Sequence, residues 1–215
     1  MDIVLEDLQY KGLMIYQPAV GSGYRFTSDA VALANFAKAK KGGVILDLCS
    51  GSGVVGILAG AKNVVSHVYM VELQKSLADM CGKSVQYNNL ENYTIINTNV
   101  VGVNKMFKNI HVDTITCNPP YYARSSASVE LTEIAVAKQE IELTLQDVIV
   151  EAGKILKDGG KLYLCHKMSR LCDIMVYLRQ NLLEPKELKI LPETKNDPTI
   201  LVKAVKQGEK GLKIV

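Results

Sequence analysis

From Val44 onward, short apolar runs alternate with helix-length segments, and that alternation restricts the fold more than any single residue does. Val44–Leu48 (VILDL) reads as a buried strand, followed by a glycine-containing loop and an apolar helix starting near Val54. His67–Glu72 (HVYMVE) is the next strand and Ser76–Tyr87 its helix. Thr94–Asn97 is a short third strand, and Asp113–Cys117 (DTITC) is a fourth, stopped by Pro119 and Pro120. A polar loop from Tyr121 to about Ile141 precedes a helix at Leu145–Leu156, with Asp158-Gly159-Gly160 as its stop signal. Lys161–Cys165 is a fifth strand and Ser169–Gln180 another helix. Two strands near Lys186–Leu191 and Thr199–Val205 then follow each other around the turn-rich piece Pro192–Pro198. Such alternation requires a parallel sheet with helices on both faces, and the last two strands close it as an antiparallel hairpin. Residues 1–40 fall outside the pattern and read as an N-terminal flank or lid of the same domain. Phe36 and the Ala/Leu positions 30–37 lie on a helix there.

Hydrophobic residues make up 48% of the 215-residue chain and charged residues 22%, enough apolar surface for a packed core and too little charge for disorder. No apolar run approaches the roughly 18–20 residues of a membrane helix, and the acidic start MDIVLEDLQYKG has no signal-peptide pattern. The cysteines (Cys49, Cys81, Cys117, Cys165, Cys172) form no C-x-x-C pair, and His67, His111 and His166 are scattered. Neither a metal site nor a disulfide framework is expected, and a reducing cytoplasm fits. The net charge of +3 is carried by the segment from Lys186 on, where seven lysines face four acids. A basic end can meet phosphate, and solvated surface lysines explain it equally well.

The loop after the first strand of the alternation reads Asp47-Leu48-Cys49-Ser50-Gly51-Ser52-Gly53-Val54-Val55-Gly56, and Glu72 ends the following strand. Ligands bind at this edge of open α/β sheets. Three readings are open. Gly51–Gly56 matches G-x-G-x-x-G with an acid at a suitable distance, as in a dinucleotide site. It could equally be a glycine-containing turn of an unrelated domain. Finally, Asp47 suits an ammonium group, directly or through water, and Glu72 a pair of ribose hydroxyls, as in a site for S-adenosylmethionine (SAM).

Asn118-Pro119-Pro120-Tyr121 directly follows the fourth strand of the alternation. Exocyclic amines of bases are poor nucleophiles because the nitrogen lone pair is delocalised into the ring. A site that accepts both amine hydrogens turns that lone pair toward a methyl donor. The Asn118 side-chain oxygen and the Pro119 carbonyl are two such acceptors, at roughly 3 Å from the nitrogen. The prolines fix their directions, and Tyr121 offers a flat face for a base. Direct displacement at the methyl then needs no metal and no covalent enzyme intermediate.

These segments together resemble class I SAM-dependent methyltransferases, whose Rossmann-like fold implies a mostly parallel seven-stranded sheet over residues 41–215. Asn-Pro-Pro-Tyr resembles the signature of the amino-methyltransferases, which act on adenine N6, guanine N2 or glutamine side chains. Tyr24-Arg25-Phe26-Thr27-Ser28-Asp29-Ala30-Val31, Gln86–Leu90, Asp158–Tyr163, Asn196–Thr199 and Lys210–Ile214 resemble bacterial tRNA adenine N6-methyltransferases, which modify the adenine beside the anticodon of a valine tRNA. The resemblance implies catalytic roles for Asn118, Pro119 and Tyr121. It places SAM contacts at Phe26, Ser28, Asp29, Asp47, Cys49, Ser50, Gly51, Gly53, Glu72, Leu73, Asn99, Val100 and Asn118. Phosphate contacts to tRNA are expected from Arg124, Lys138, Lys195, Lys203 and Lys206, in a monomer without metal. This chain departs from the family at Cys49, where glycine is usual, at Asn99, where an acid is common, and at Lys138-Gln139-Glu140, where relatives often carry Arg-His-Glu.

Overall fold

The computed structural model describes residues 2–23, 25–119, 143–192 and 197–215. Its main sheet has eight strands: β3 (Val44–Leu48), β4 (His67–Glu72), β5 (Tyr93–Asn97), β6 (Thr114–Cys117), β7 (Lys161–Lys167), β8 (Leu183–Ile190), β9 (Thr199–Lys206) and β10 (Lys213–Ile214). Their spatial order is β10-β8-β9-β7-β6-β3-β4-β5. Every pairing is parallel except the two made by β9. The alternation and the closing hairpin are therefore as the sequence implies. The two-residue β10 adds an eighth strand at the edge beside β8.

The period-2 alternation of strand side chains sorts the core into two halves, one on each face. Leu46, Leu48, Val71, Ile115, Leu162 and Leu164 belong to one cluster, with α4 (Leu145–Ile155) and α5 (Leu171–Gln180) packed over it. Ile45, Val68, Met70, Tyr163 and Leu201 belong to the other. That face is covered by α1 (Ser28–Phe36), α2 (Val54–Lys62) and α3 (Lys75–Tyr87). Each fully buried leucine or isoleucine contributes about 1.5–3 kcal/mol to this packing.

Local chemistry explains the helix positions. α4 begins with a capping box, in which Thr144 Oγ1 accepts the Asp147 N–H (3.2 Å) and Asp147 Oδ2 accepts the Thr144 N–H (3.0 Å). α3 buries Leu77, Ala78, Met80, Cys81, Ser84 and Val85, a stripe at helical spacing. α2 lies unusually close to the sheet: a Cβ at Gly56 would stand 2.6 Å from Met70 Sδ, and one at Gly60 would overlap Tyr93.

The segment 1–40 forms an antiparallel pair, β1 (Ile3–Asp7) with β2 (Met14–Pro18), followed by α1. β2 is tied to α3: Ser84 Oγ accepts the Tyr16 N–H (2.9 Å), and the Asn88 side chain both accepts from and donates to the Met14 backbone. Ile15, Ala30, Leu33, Ala34 and Ala37 are buried in the same cluster as α2. The chain before the alternation is thus built into one face of the core.

Candidate active site

The strands β3, β4, β5 and β6 end side by side, as their registers require: Leu48 is paired with both Val71 and Cys117, and Glu72 with Asn97. At this edge lies a cleft of about 830 Å³, its open mouth included. Its polar side is formed by Ser50, Gly51, Glu72, Asn99 and Asn118, and its apolar side by Phe26, Val54, Leu77, Val100 and Leu143. A few convergent polar groups in a largely apolar concavity of this size are what a small-molecule site requires.

The loop between β3 and α2 is shaped by three residues in the left-handed region, Cys49 (φ 58°), Gly51 (φ 56°) and Gly53 (φ 99°). The first explains why glycine suits that position, and Cys49 occupies it while lining the cleft. At Gly53 a side chain is excluded twice, by φ and by Cys81 Sγ, 2.6 Å from where a Cβ would stand.

Four of the amide hydrogens between Ser50 and Gly56 are turned inward. The Ser50 N–H bonds the Val71 carbonyl (3.0 Å) and the Gly53 N–H the Ser50 carbonyl (2.8 Å). Gly51 N–H bonds Glu72 Oε2 (2.8 Å), and Gly56 N–H bonds Asp47 Oδ2 (3.0 Å). A dinucleotide loop needs such groups free for pyrophosphate. Here four of them are satisfied internally, two by acids, which gives an anion an unfavourable field. The dinucleotide reading of G-x-G-x-x-G is thereby removed.

The two acids differ in placement. Glu72 lines the cleft, with Oε1 accepting the Gln74 N–H (2.8 Å) and Oε2 that of Gly51. Each oxygen keeps lone-pair capacity for a further donor. Burial pushes its carboxyl above the ordinary value, against the opposing pull of those backbone bonds. Asp47 is fully buried behind the loop and does not line the cleft. Its Oδ1 accepts from Thr116 Oγ1 (2.6 Å) and its Oδ2 from Gly56. Burial raises its pKa to about 7. Asp47 thus does not reach the cleft directly: strand alternation turns it to the same face as Ile45, toward α2.

Of the remaining expected SAM contacts, Phe26, Cys49, Ser50, Gly51, Leu73, Asn99, Val100 and Asn118 line the cleft. Asn99 Oδ1 also accepts the Val101 N–H (2.8 Å). Ser28, Asp29 and Gly53 are not on the lining. Asp29 lies in the first turn of α1, its Oδ1 taking the Ala30 N–H (3.0 Å) and the Thr27 hydroxyl. Residues the sequence reading missed also line the cleft: Ala30, Ser52, Val54, Val55, Gln74, Leu77 and Leu143. Leu77 carried a signal, an apolar residue in the first turn of the helix that follows β4.

Pro119 is buried beside Asn118. Tyr121, Arg124, Lys138 and Lys195 lie outside the described residues, as does the segment read as a polar loop. Lys203 sits mid-strand on β9, ion-paired with Glu187. Because β9 runs antiparallel, Lys206 lies at the sheet edge opposite the cleft, and its Nζ donates to the carbonyls of Gly153 (2.7 Å) and Asn181 (3.0 Å). Among the described residues no group of three or more His, Cys, Asp or Glu is arranged to hold a metal ion, and no helix is long and apolar enough to cross a membrane.

Comparison with known proteins places this cleft in context. Residues 14–182 match the family model of the methyltransferase small domain. The chain is 25% identical over 167 residues to the tRNA1(Val) (adenine(37)-N6)-methyltransferase of Shewanella baltica, covering 75% of this chain and 69% of that one. It is 26% identical over 145 residues to the release factor glutamine methyltransferase of Fusobacterium nucleatum, covering 64% of this chain and 40% of that one. Two solved structures share its fold. TYW2 of M. jannaschii, in complex with AdoMet, has a TM-score of 0.67 at 12% identity, with 94% of this chain and 84% of that one aligned. A predicted O-methyltransferase from Agrobacterium tumefaciens has a TM-score of 0.64 at 20% identity, with 86% and 84% aligned. The cleft fits the donor of this family, with a carboxylate placed for two hydroxyls and apolar side chains for a ring. The chain belongs to the methyltransferase small domain family and is a SAM-dependent methyltransferase.

Proposed function

We propose that this protein methylates the exocyclic N6 amine of an adenine in tRNA, the anticodon-loop adenine beside the anticodon of a valine tRNA. The observation that carries the proposal is the position of Asn118, directly after β6 and on the wall of the cleft, with Pro119 buried next to it in the chain. Asn118 Oδ1 and the Pro119 carbonyl accept the two amine hydrogens, which frees the nitrogen lone pair from the ring and aims it into the cleft. Bound SAM supplies a methyl group made electrophilic by its sulfonium. Glu72 holds the ribose hydroxyls, and the apolar side from Phe26 to Leu143 excludes water from the reacting end. Tyr121 stacks on the target base, which leaves its neighbours at lower cost from a single-stranded loop than from a duplex.

Phosphate contacts then fall to Arg124, Lys138 and Lys195, with Lys203 contributing only by leaving Glu187. The Shewanella relative is named for a tRNA adenine N6 and the Fusobacterium relative for a release-factor glutamine. Methyl transfer from labelled SAM to bulk tRNA, DNA and release factor separates these acceptors. Label confined to tRNA is the expected result. Label on the release factor alone moves the acceptor to glutamine.

A further inference from the structure

Asp47 and Thr116 meet where the two halves of the site are joined. They are paired neighbours on β3 and β6, and neither is exposed. One Asp47 oxygen takes the Thr116 hydroxyl (2.6 Å), while the other takes the Gly56 N–H (3.0 Å) in the first turn of α2. The Asp47 carbonyl receives the Ser50 hydroxyl (2.9 Å), which anchors the donor loop to the same residue. Thr116 stands two residues before Asn118. A hydroxyl within a buried strand adds nothing to apolar packing, so its contribution is this bond.

We propose that Asp47 is a positioning residue that acts through Thr116: by holding β6 against the donor loop and α2, it sets where Asn118 stands relative to the bound donor. The carboxylate form serves this purpose because it accepts from both partners at once, whereas a protonated carboxyl loses one acceptor oxygen to its own O–H. Titratable groups facing it are Glu72 on β4, Cys81 on α3 and Cys117 on β6. Burial keeps both thiols neutral, and the Glu72 charge adds to the upward push on Asp47. Since the Thr116 bond pulls the Asp47 pKa down from where burial alone would put it, removing the hydroxyl raises it further.

The inference rests on Asn118 as an acceptor of amine hydrogens, and its test has one arm that needs no acceptor. Carbon-13 labelled aspartate reports the Asp47 carboxyl directly by NMR. In the wild type its titration midpoint is expected near 7, and in Thr116→Val the midpoint moves upward. In the second arm, Thr116→Val lowers turnover about tenfold, through misplacement of Asn118, while SAM affinity stays within about twofold. Thr116→Ser, which keeps the hydroxyl, restores both. Asp47→Asn keeps one acceptor oxygen, as the protonated carboxyl does, so it lowers turnover as Thr116→Val does and loses the fall in rate on acidification below pH 7. An unmoved midpoint in Thr116→Val, wild-type turnover in that variant, or an acid limb that persists in Asp47→Asn overturns the proposal. If wild-type protein labels release factor and not tRNA, the acceptor reading fails alone, and the same variants are compared on that acceptor.

Discussion

Asp47 and Glu72 stand near the ends of neighbouring strands of one sheet, are buried to a similar degree and bond amides at the two ends of the glycine-rich segment Gly51–Gly56. One face of that loop is a binding surface and the other a joint. Glu72 stands on the first, with capacity left for a ligand's hydroxyls, while Asp47 stands on the second, with its oxygens taken by β6 and α2. Burial and charge alone therefore do not identify a ligand contact. The direction in which the strand turns the side chain decides it, and here direction puts Glu72 on the cleft and Asp47 against β6 and α2.

The sharpest break of this comparison comes from the binding side. Asn118→Ala should lower turnover by about 10²–10³ while leaving SAM affinity nearly intact, as for loss of one preorganised polar contact at a reacting centre. Single-turnover rates together with calorimetric SAM binding read the two effects separately, and near-normal turnover would remove Asn118 from the chemistry. Glu72→Ala should do the reverse, weakening SAM by about 1–3 kcal/mol through loss of a charge-assisted acceptor. Unchanged SAM affinity would show that Glu72 serves only to hold its loop.

The joint has a stability signature. Folding raises the Asp47 pKa from 3.8 to about 7, so across that interval the folded state binds the extra proton. The group does not oppose folding below the unfolded value, and it opposes folding increasingly as the pH rises toward 7. Relative to Asp47→Asn, the wild type should lose about 2 kcal/mol of stability between pH 5 and 7. Parallel urea titrations of the two proteins measure this, and a constant difference would contradict it. The smallest effect concerns the basic end. Lys203→Ala removes a charge already paired with Glu187, so it should change the salt dependence of tRNA binding by less than about one unit of slope. A full unit would return Lys203 to the phosphate contacts.

Periodicity made the fold legible from β3 to β9, because buried parallel strands and capped helices each leave a pattern at their own spacing. β1 and β2 were not legible. They are five-residue strands, and β2 closes its backbone bonding against Ser84 and Asn88, partners found only once α3 is in place. Spacing located the cleft residues from Cys49 to Gly51 and at Glu72, since the turn and the strand end are local events. It could not separate Asp47 from Glu72 by type, although the alternation Ile45, Leu46, Asp47, Leu48 already places Asp47 on the α2 side. The place of Lys206 was not legible because it depends on the antiparallel course of β9, a property of the whole sheet.

The account's central claim is amine methylation of an adenine beside Asn118. The most direct measurement is nucleoside analysis of tRNA after reaction with labelled SAM, in wild type and Asn118→Ala. The account predicts label in N6-methyladenosine from the wild type and its near absence from the variant. Label in a guanine or ribose product, or equal labelling by the variant, would contradict it.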